Sequence, residues 1–558
     1  MNYNDARNSI ADKINVPPKL LSYIFLTGID KFYTEIEIPK KNGGVRKISI
    51  PQNQLKSVHQ EVLKFLQKIY KNSDLATVFS HGFEKNKSII TNAQVHKNKR
   101  IVLNMDLEDF FYSFHFGRIR GFFKNNKFFK MTHEEATVLS NLICYKGVLP
   151  QGAATSPIMT NMICHFMDLK LQHVAKKHKC SYTRYADDLT FSTNNKNTVE
   201  NYKELIKDIK TQINKAGFKI NDDKTRLQSK ENSQRVTGLV VNKKVNVSHY
   251  YYKKTRAMAE SLYKTGKFYI NDQEGDIKQL EGRFSFIDQL NFANNIQGKK
   301  DGTGYHGFFT TGNDGKIAVN NREKSYQKFL FYKYFYANDK PTILTEGKTD
   351  IKYLKAALKK MYLLFPNLIK KKETGFEFKV NFLERSRRFD FFFGYVEGAE
   401  GMKKIFELYF RKPFYYYNEF QLKRTFPNQK PVFLIFDNEL KNNKKPIRKF
   451  INFTNGNVEL KVSKVESENF LHIDKNLYLI THQLMNDKDE MEIEDLFSTD
   501  VLSAKVDGKI FDRNDNADRS KTFGKAVFAE YITRNYRNID FSNFIPMLHR
   551  ISEIISNT

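Results

Sequence analysis

The sequence predicts an α+β first half followed by an alternating α/β second half, and three observations carry that expectation. At 558 residues the chain is too long for one hydrophobic core. Up to about residue 240, helical patterns such as Leu55 to Tyr70 mix with short apolar strands such as Ile101-Val102-Leu103. A new start follows Pro341: the apolar run Thr342 to Thr345, after which strands and helices alternate.

The elements then fall in order. Residues 1–245 form the α+β part. Residues 246–335 are helical, with a Lys- and Tyr-rich run from Tyr250 to Lys267 and a second from Leu280 to Phe292. Between them and the α/β part, Gly298 to Tyr305 is rich in glycine and charge and reads as a loop. The polar break Tyr336-Ala337-Asn338-Asp339-Lys340-Pro341 sets the main boundary near residue 338, leaving 336–558 as the α/β domain.

Composition narrows the function classes. Hydrophobic residues make up 40% and aromatics 14%, enough for sizeable cores and unlike a disordered chain. The formal net charge is +30, with Lys and Arg spread along the whole length. Such a surface is compensated by a polyanion in a long groove, although a solvated lysine-rich surface has the same composition. The three cysteines, Cys144, Cys164 and Cys180, form no C-x-x-C pair, which points away from disulfides and zinc and toward a reducing cytoplasm. The N-terminus is polar and no stretch approaches the roughly 20 apolar residues that span a bilayer, so no membrane partner is expected.

Two acidic clusters carry chemistry in the first part. Asp106 follows the strand Ile101-Val102-Leu103, which delivers it to an exposed end. In Tyr182-Thr183-Arg184-Tyr185-Ala186-Asp187-Asp188-Leu189-Thr190-Phe191, apolar residues flank two adjacent carboxylates, as in a hairpin with the pair at its turn. Adjacent carboxylates repel unless a cation lies between them. Two Mg²⁺ ions roughly 4 Å apart would clamp the attacking and leaving oxygens of a phosphoryl transfer, with aspartates as their expected ligands. Asp106 and Asp187 are the bridging ligands in this reading and Asp188 the supporting one.

The arrangement resembles reverse transcriptases at many points and in the same order. Tyr185-Ala186-Asp187-Asp188 matches their palm motif, and Asp106 their other metal-binding aspartate. Leu149 to Pro157, with Gln151 and Gly152, is similar to their template- and nucleotide-contacting loop, whose small residues allow close backbone approach. Phe111, five residues after Asp106, stands where the family places a gate against a ribose 2′-OH; core packing is the other reading. Gly43 to Pro51 resembles the fingers strand and nominates Arg46 for the triphosphate. Gly217 to Thr225 resembles the next palm motif, with Lys224 either the acid for departing pyrophosphate or a surface lysine. The resemblance implies a right-hand polymerase of fingers, palm and helical thumb, two Mg²⁺ ions and deoxynucleoside triphosphates. It covers residues from about 15 to 320.

Within that family the chain resembles retron enzymes. Asn92-Ala93-Gln94-Val95-His96 matches their N-A-x-x-H element and Val236-Thr237-Gly238 their V-T-G element. Taken singly, His96 is equally a core histidine and Val236-Thr237-Gly238 any strand-turn. The resemblance implies a structured non-coding RNA partner, priming from an internal 2′-OH, and a branched RNA–DNA product (msDNA). Asn92, His96, Val236, Thr237 and Gly238 are then RNA-binding, as are Tyr251, Lys253, Lys254 and Arg256 in an aromatic and cationic stretch suited to stacking and phosphate contact. Tyrosines packed inward on an amphipathic helix fit the same stretch. A homo-oligomer is compatible with the sequence.

The second half carries another acidic pattern. Glu346-Gly347 follows the strand Thr342 to Thr345, and Asp437 and Glu439 follow the strand Val432 to Phe436. At the carboxyl ends of parallel strands these three would meet. The pattern resembles the Toprim domain of topoisomerases, primases and overcoming-lysogenization-type nucleases, departing from it at Glu439, where aspartate is usual. The resemblance implies one or two further Mg²⁺ ions, Glu346 as general acid/base and a nuclease effector in anti-phage defence. Glu468 or Glu494 would complete the ligand set, although both also read as surface acids. Two readings compete: a Toprim part that binds nucleic acid without cutting, and a polymerase part that is only an RNA-binding scaffold for the effector.

Overall fold

The computed structural model describes all residues except 1, 40–42, 77, 302–319, 385, 394–398, 413–414, 424–428, 486 and 515. Two compact units divide the chain, Met1–His249 and Tyr250–Thr558. No described helix is long and apolar enough to cross a membrane.

In the first unit, β1 (Tyr33–Pro39) and β2 (Val45–Pro51) form an antiparallel hairpin. Helix α1 (Asn53–Lys71) follows, burying Leu55, Val58, His59, Val62 and Leu66 along one helical face. The expected run Leu55 to Tyr70 thus lies inside a single helix. A short helix α2 (Ile89–Val95) starts at a Ser88 cap, whose side chain accepts from the Ile90 and Thr91 N–H groups. Strand β3 (Ile101–Leu107) is buried over nearly its whole length, the pattern of a strand covered on both faces. Helix α3 (Ser156–Lys177) enters through Pro157 in its first turn and buries Met159, Met162, Ile163, Met167 and Leu171.

The remaining strands are β4 (Ser181–Tyr185), β5 (Asp188–Thr193), β6 (Ile220–Ser229), β7 (Arg235–Val236) and β8 (Leu239–Val240). Strands β3 to β6 form one antiparallel sheet in the order β4-β5-β3-β6. Its register places Asp106 opposite Asp188, and Tyr185 opposite Asp188 closes a turn of two residues, Ala186 and Asp187. A slip of one residue would turn every side chain to the other face, so this register is what gathers the acids.

The second unit begins with α4 (His249–Thr265), α5 (Ile277–Asp301) and α6 (Asn321–Phe331). Helix α5 corrects one expectation: instead of a loop from Gly298, the helix continues through Asp301. An isolated glycine costs a helix only about 1 kcal/mol, which the turns before it outweigh. The rest of that expected loop lies outside the described residues. Next come β9 (Thr342–Thr345), α7 (Asp350–Lys360), β10 (Asn381–Phe382), β11 (Val432–Phe436), β12 (Phe470–Asp474), β13 (Leu477–Thr481) and α8 (Lys525–Asn535). The sheet order is β10-β9-β11-β13-β12, parallel except for β12. One apolar core joins the helices to the sheet, with Leu262, Phe284 and Phe329 packed in the same cluster as Leu344 and Leu434. A second core, including Tyr353, Phe433 and Phe528, covers the other side.

Candidate active site

The turn of the β4–β5 hairpin is backbone-strained. Ala186 has φ +57°, a left-handed conformation that costs a non-glycine residue about 1–2 kcal/mol. The Asp187 carbonyl accepts from the Leu107 N–H at 3.1 Å, which ties the turn to the end of β3. Asp106 is only 8% exposed, Asp187 is half-buried and Asp188 is exposed. Although Asp188 is exposed as a residue, its carboxyl is crowded by protein atoms, and this loss of water, together with the Asp187 and Asp106 charges, raises it to about 6. Asp187 is raised too, by burial and by Asp106. Lys224 on β6 puts its Nζ 2.9 Å from Asp106 Oδ2, and that hydrogen bond raises the lysine above its ordinary range.

A cleft of about 1150 Å³ is lined by Arg46, Asp106, Phe111, Gln151, Asp187 and Lys224. Six residues nominated from five separate segments therefore share one cavity, and Asp188 stands beside it on β5. Phe111 is half-buried and also lines an adjoining cavity of about 490 Å³ with Gln151 and Gly152, so it is wall and core at once. The loop carrying Gln151 lies on β2: the Ser49 N–H donates to the Gln151 carbonyl at 2.7 Å. Gly152 has φ +124°, and a Cβ there would stand 2.7 Å from the Ser49 carbonyl oxygen. Only glycine fits this approach.

Hard oxygen donors concentrated where carboxylates repel suit a divalent cation such as Mg²⁺. Among the described residues no three Asp, Glu, His or Cys side chains are drawn together closely enough to hold an ion as they stand. In the first cluster Lys224 balances the charge instead.

Asn92 and His96 stand behind the hairpin, both fully buried, which corrects their reading as RNA contacts. The Thr183 hydroxyl donates to Asn92 Oδ1 at 2.6 Å and so accepts from His96 Nε2, 2.7 Å away. His96 Nδ1 is then the acceptor for the Ser192 hydroxyl at 2.7 Å. Burial first, with the Lys99 and His81 charges, lowers the imidazole to about 3 and keeps it neutral. The element therefore braces β4 against β5. Val236 is buried as well, whereas Thr237 is half-buried and Gly238 exposed. These last two have φ +46° and +83° and form the turn between β7 and β8, held to α2 by a Thr237 hydroxyl donating to the Ile89 carbonyl at 3.3 Å.

Two residues of the sequence string passed unnoticed. Arg184 is completely buried and makes a bidentate pair with Asp168 of α3, Nε and Nη2 each 2.8 Å from a carboxylate oxygen. The signal available was an arginine at an inward-facing strand position beside the acid pair.

In the second unit the α4 tyrosines meet cations. The Arg283 guanidinium lies 3.9 Å from the Tyr251 ring centre and Arg322 lies 4.8 Å from that of Tyr252. Lys253 and Arg256 are exposed, Lys254 half-buried. Arg283 and Arg322 extend the cationic set beyond what the sequence nominated.

The second acidic cluster lies at the ends of β9 and β11. Burial, then Asp350 and Glu439, pushes the Glu346 carboxyl up to about 7. Asp437 is raised by burial and by Asp350, Glu346 and Glu494, while its Oδ1 accepts from the Ile493 N–H at 2.8 Å. Glu439 is 7% exposed and pairs with Lys445. Glu494 is fully buried rather than a surface acid; Lys525 Nζ lies 3.2 Å from its Oε2. Glu468 ends a helix, Val458–Glu468, at a half-buried position, and no hydrogen bond or ion pair among the described residues ties it to the cluster. Asp350 is the acid missed: its Oδ2 accepts from the Gly347 N–H at 2.7 Å, and a Cβ on Gly347 would lie 2.4 Å from its Oδ1.

Residues 38–241 match the family described as reverse transcriptase (RNA-dependent DNA polymerase). The chain is 35% identical over 260 residues to the Retron Ec86 reverse transcriptase of Escherichia coli, a stretch covering 46% of this chain and 75% of that protein. It is 32% identical over 276 residues to the Retron Mx65 reverse transcriptase of Myxococcus xanthus, covering 47% of this chain and 62% of that one. Against the second relative the chain thus spans less than two thirds of the length. The apo telomerase of Candida tropicalis truncated from its C-terminal domain superposes with a TM-score of 0.30 at 16% identity, over 41% of this chain and 59% of that truncated telomerase.

Proposed function

The chain belongs to the retron reverse transcriptases, and from that premise we propose that its first unit copies a partner non-coding RNA into branched msDNA while its second unit is a Toprim-like nuclease effector. The observation that carries the polymerase reading is the shared cleft of Asp106, Asp187, Arg46, Phe111, Gln151 and Lys224. Asp106, Asp187 and Asp188 would hold Mg²⁺, which when bound supplies charge stabilisation for phosphoryl transfer. Arg46 binds the triphosphate, Phe111 excludes a ribose 2′-OH, and Gln151 orients the nucleotide on the template. Lys224 holds a proton at Nζ for the departing pyrophosphate. The α4 tyrosines with Lys253, Lys254 and Arg256, and the Thr237-Gly238 turn, would meet the folded RNA.

In the second unit Glu346 would serve as general acid/base, with Asp437 and Glu439 holding Mg²⁺. A carboxyl near 7 is suited to giving and taking protons at neutral pH. In anti-phage defence the branched DNA would keep this effector quiet until infection. One observation favours a second reading, binding without cleavage: Lys445 and Lys525 already neutralise Glu439 and Glu494.

Cognate RNA, deoxynucleotides and Mg²⁺ test the first part. Wild type should yield cDNA and Asp187→Ala none; a silent wild type, or an active Asp187→Ala, ends the polymerase reading. For the second part, Glu346→Ala should abolish phage protection and leave cDNA yield unchanged. Protection that survives that substitution leaves binding without cleavage.

A further inference from the structure

Arg184 is a fully buried cation two positions before the left-handed Ala186. A buried ion pair is weak support for stability, because desolvating both charges consumes most of their attraction. What this pair does is geometric. Asp168 fixes the guanidinium through two 2.8 Å hydrogen bonds and also accepts from the Tyr182 hydroxyl at 2.8 Å. That leaves Nη1 aimed along the hairpin, 3.2 Å from Asn161 Oδ1 and 3.3 Å from the Ala186 carbonyl oxygen. The Ala186 carbonyl belongs to the peptide that leads into Asp187.

The same turn is gripped from the other side. The His81 N–H donates to the Arg184 carbonyl at 2.7 Å, and the Arg184 N–H donates to the Phe79 carbonyl at 2.9 Å. Gly82 comes so close that a Cβ on it would lie 2.5 Å from the Ala186 nitrogen. Asn161 joins the two grips, its Nδ2 donating to the Gly82 carbonyl at 3.0 Å.

We propose that Arg184, locked by Asp168, is a positioning residue that holds the left-handed Ala186 backbone and so aims Asp187 into the polymerase cleft. The inference rests on the polymerase reading given above. Lysine cannot replace the arginine in this role, since one ammonium cannot match a carboxylate fork and reach a carbonyl as well.

Three variants test it in single-nucleotide incorporation on cognate RNA, with folding followed by thermal melting. The triple variant Arg184→Met/Asp168→Leu/Tyr182→Phe removes the pair without stranding a buried charge, and apolar replacements of this kind are often neutral or stabilising. It should stay folded, lose about 10- to 100-fold in kcat and keep the deoxynucleotide KM within about twofold, since misplacing a reactive group by 1 Å costs on that order. Arg184→Lys should show a similar split. Adding Ala186→Gly to Arg184→Lys should restore about tenfold, because glycine enters the left-handed region without strain. A folded triple variant with wild-type kcat overturns the proposal. So does an Arg184→Lys defect that Ala186→Gly leaves untouched, and this second test stands even if the triple variant fails to fold. An inactive wild type sinks the polymerase reading itself, a result that no clamp variant can mimic.

Discussion

In the first unit Asp106, Asp187 and Asp188 stand on an antiparallel sheet around an open cleft, and a single lysine, Lys224, lies on one of them. In the second unit Glu346, Asp350, Asp437 and Glu494 crowd the ends of parallel strands, where burial is the largest influence on Glu346, Asp437 and Glu494. The open cluster lines a cleft of about 1150 Å³, although burial raises its Asp187 and Asp188 as well, Asp188 to about 6. The sunken cluster suppresses its charge, partly by holding protons and partly through Lys445 and Lys525. Similar residue types at strand ends thus differ in setting: the first set opens on a cleft with Lys224 beside it, the second sits deeper with Lys445 and Lys525 against it.

The largest expected effect separates the two clusters directly. Asp106→Asn keeps the shape of the side chain and removes the charge that Lys224 balances. It should lower cDNA synthesis about a thousandfold, the scale of several kcal/mol of lost charge stabilisation. Glu439→Gln in the second cluster should leave that yield within about twofold, since Lys445 is its only ion-pair partner among the described residues. Primer-extension assays on the two purified variants decide it; equal losses would mean the clusters are not independent.

A smaller effect is expected at Gly152. Alanine there adds left-handed strain to a clash with a backbone carbonyl that cannot rotate away, together about 3 kcal/mol. Denaturant melts should show that loss, and the KM for deoxynucleotides should rise because Gln151 is displaced from the cleft. An unchanged KM would mean the loop does not position the nucleotide.

What could be read in advance follows the same division. Tyr185 to Asp188 is a contiguous string, and its hairpin needs only local pairing, so the adjacent acids at the turn were visible in the sequence. Asn92 and His96 were visible as a motif, but their burial depends on strands about 90 positions away closing over them, which no local pattern encodes. Arg184 and Asp168 face each other because of the phase of α3 against β4, and Glu494 is buried because Lys525 and Tyr353 come to it from distant helices. The helix past Gly298 was hidden for the opposite reason: a glycine- and charge-rich string looked like a loop while the preceding turns carried the helix through.

The finest test concerns protons, and here His96 and Glu346 should respond with opposite sign. His96 is depressed from 6.5 to about 3, so below pH 6.5 the unfolded chain takes up a proton that the folded unit refuses. Stability supplied by this histidine is therefore complete above pH 6.5 and falls as pH drops, by about 2 kcal/mol at pH 5. Glu346 is raised from 4.5 to about 7, so its contribution is complete below pH 4.5 and is lost as pH rises through 7. In urea melts with a chelator present, His96→Asn should flatten the loss between pH 7 and 5, although it lowers stability at neutral pH by removing the brace to Thr183 and Ser192. Glu346→Gln should instead flatten the decline between pH 5 and 8. If both substitutions tilt the pH profile in the same direction, burial does not hold a proton on Glu346, and the neighbouring lysines carry the charge balance of the second cluster.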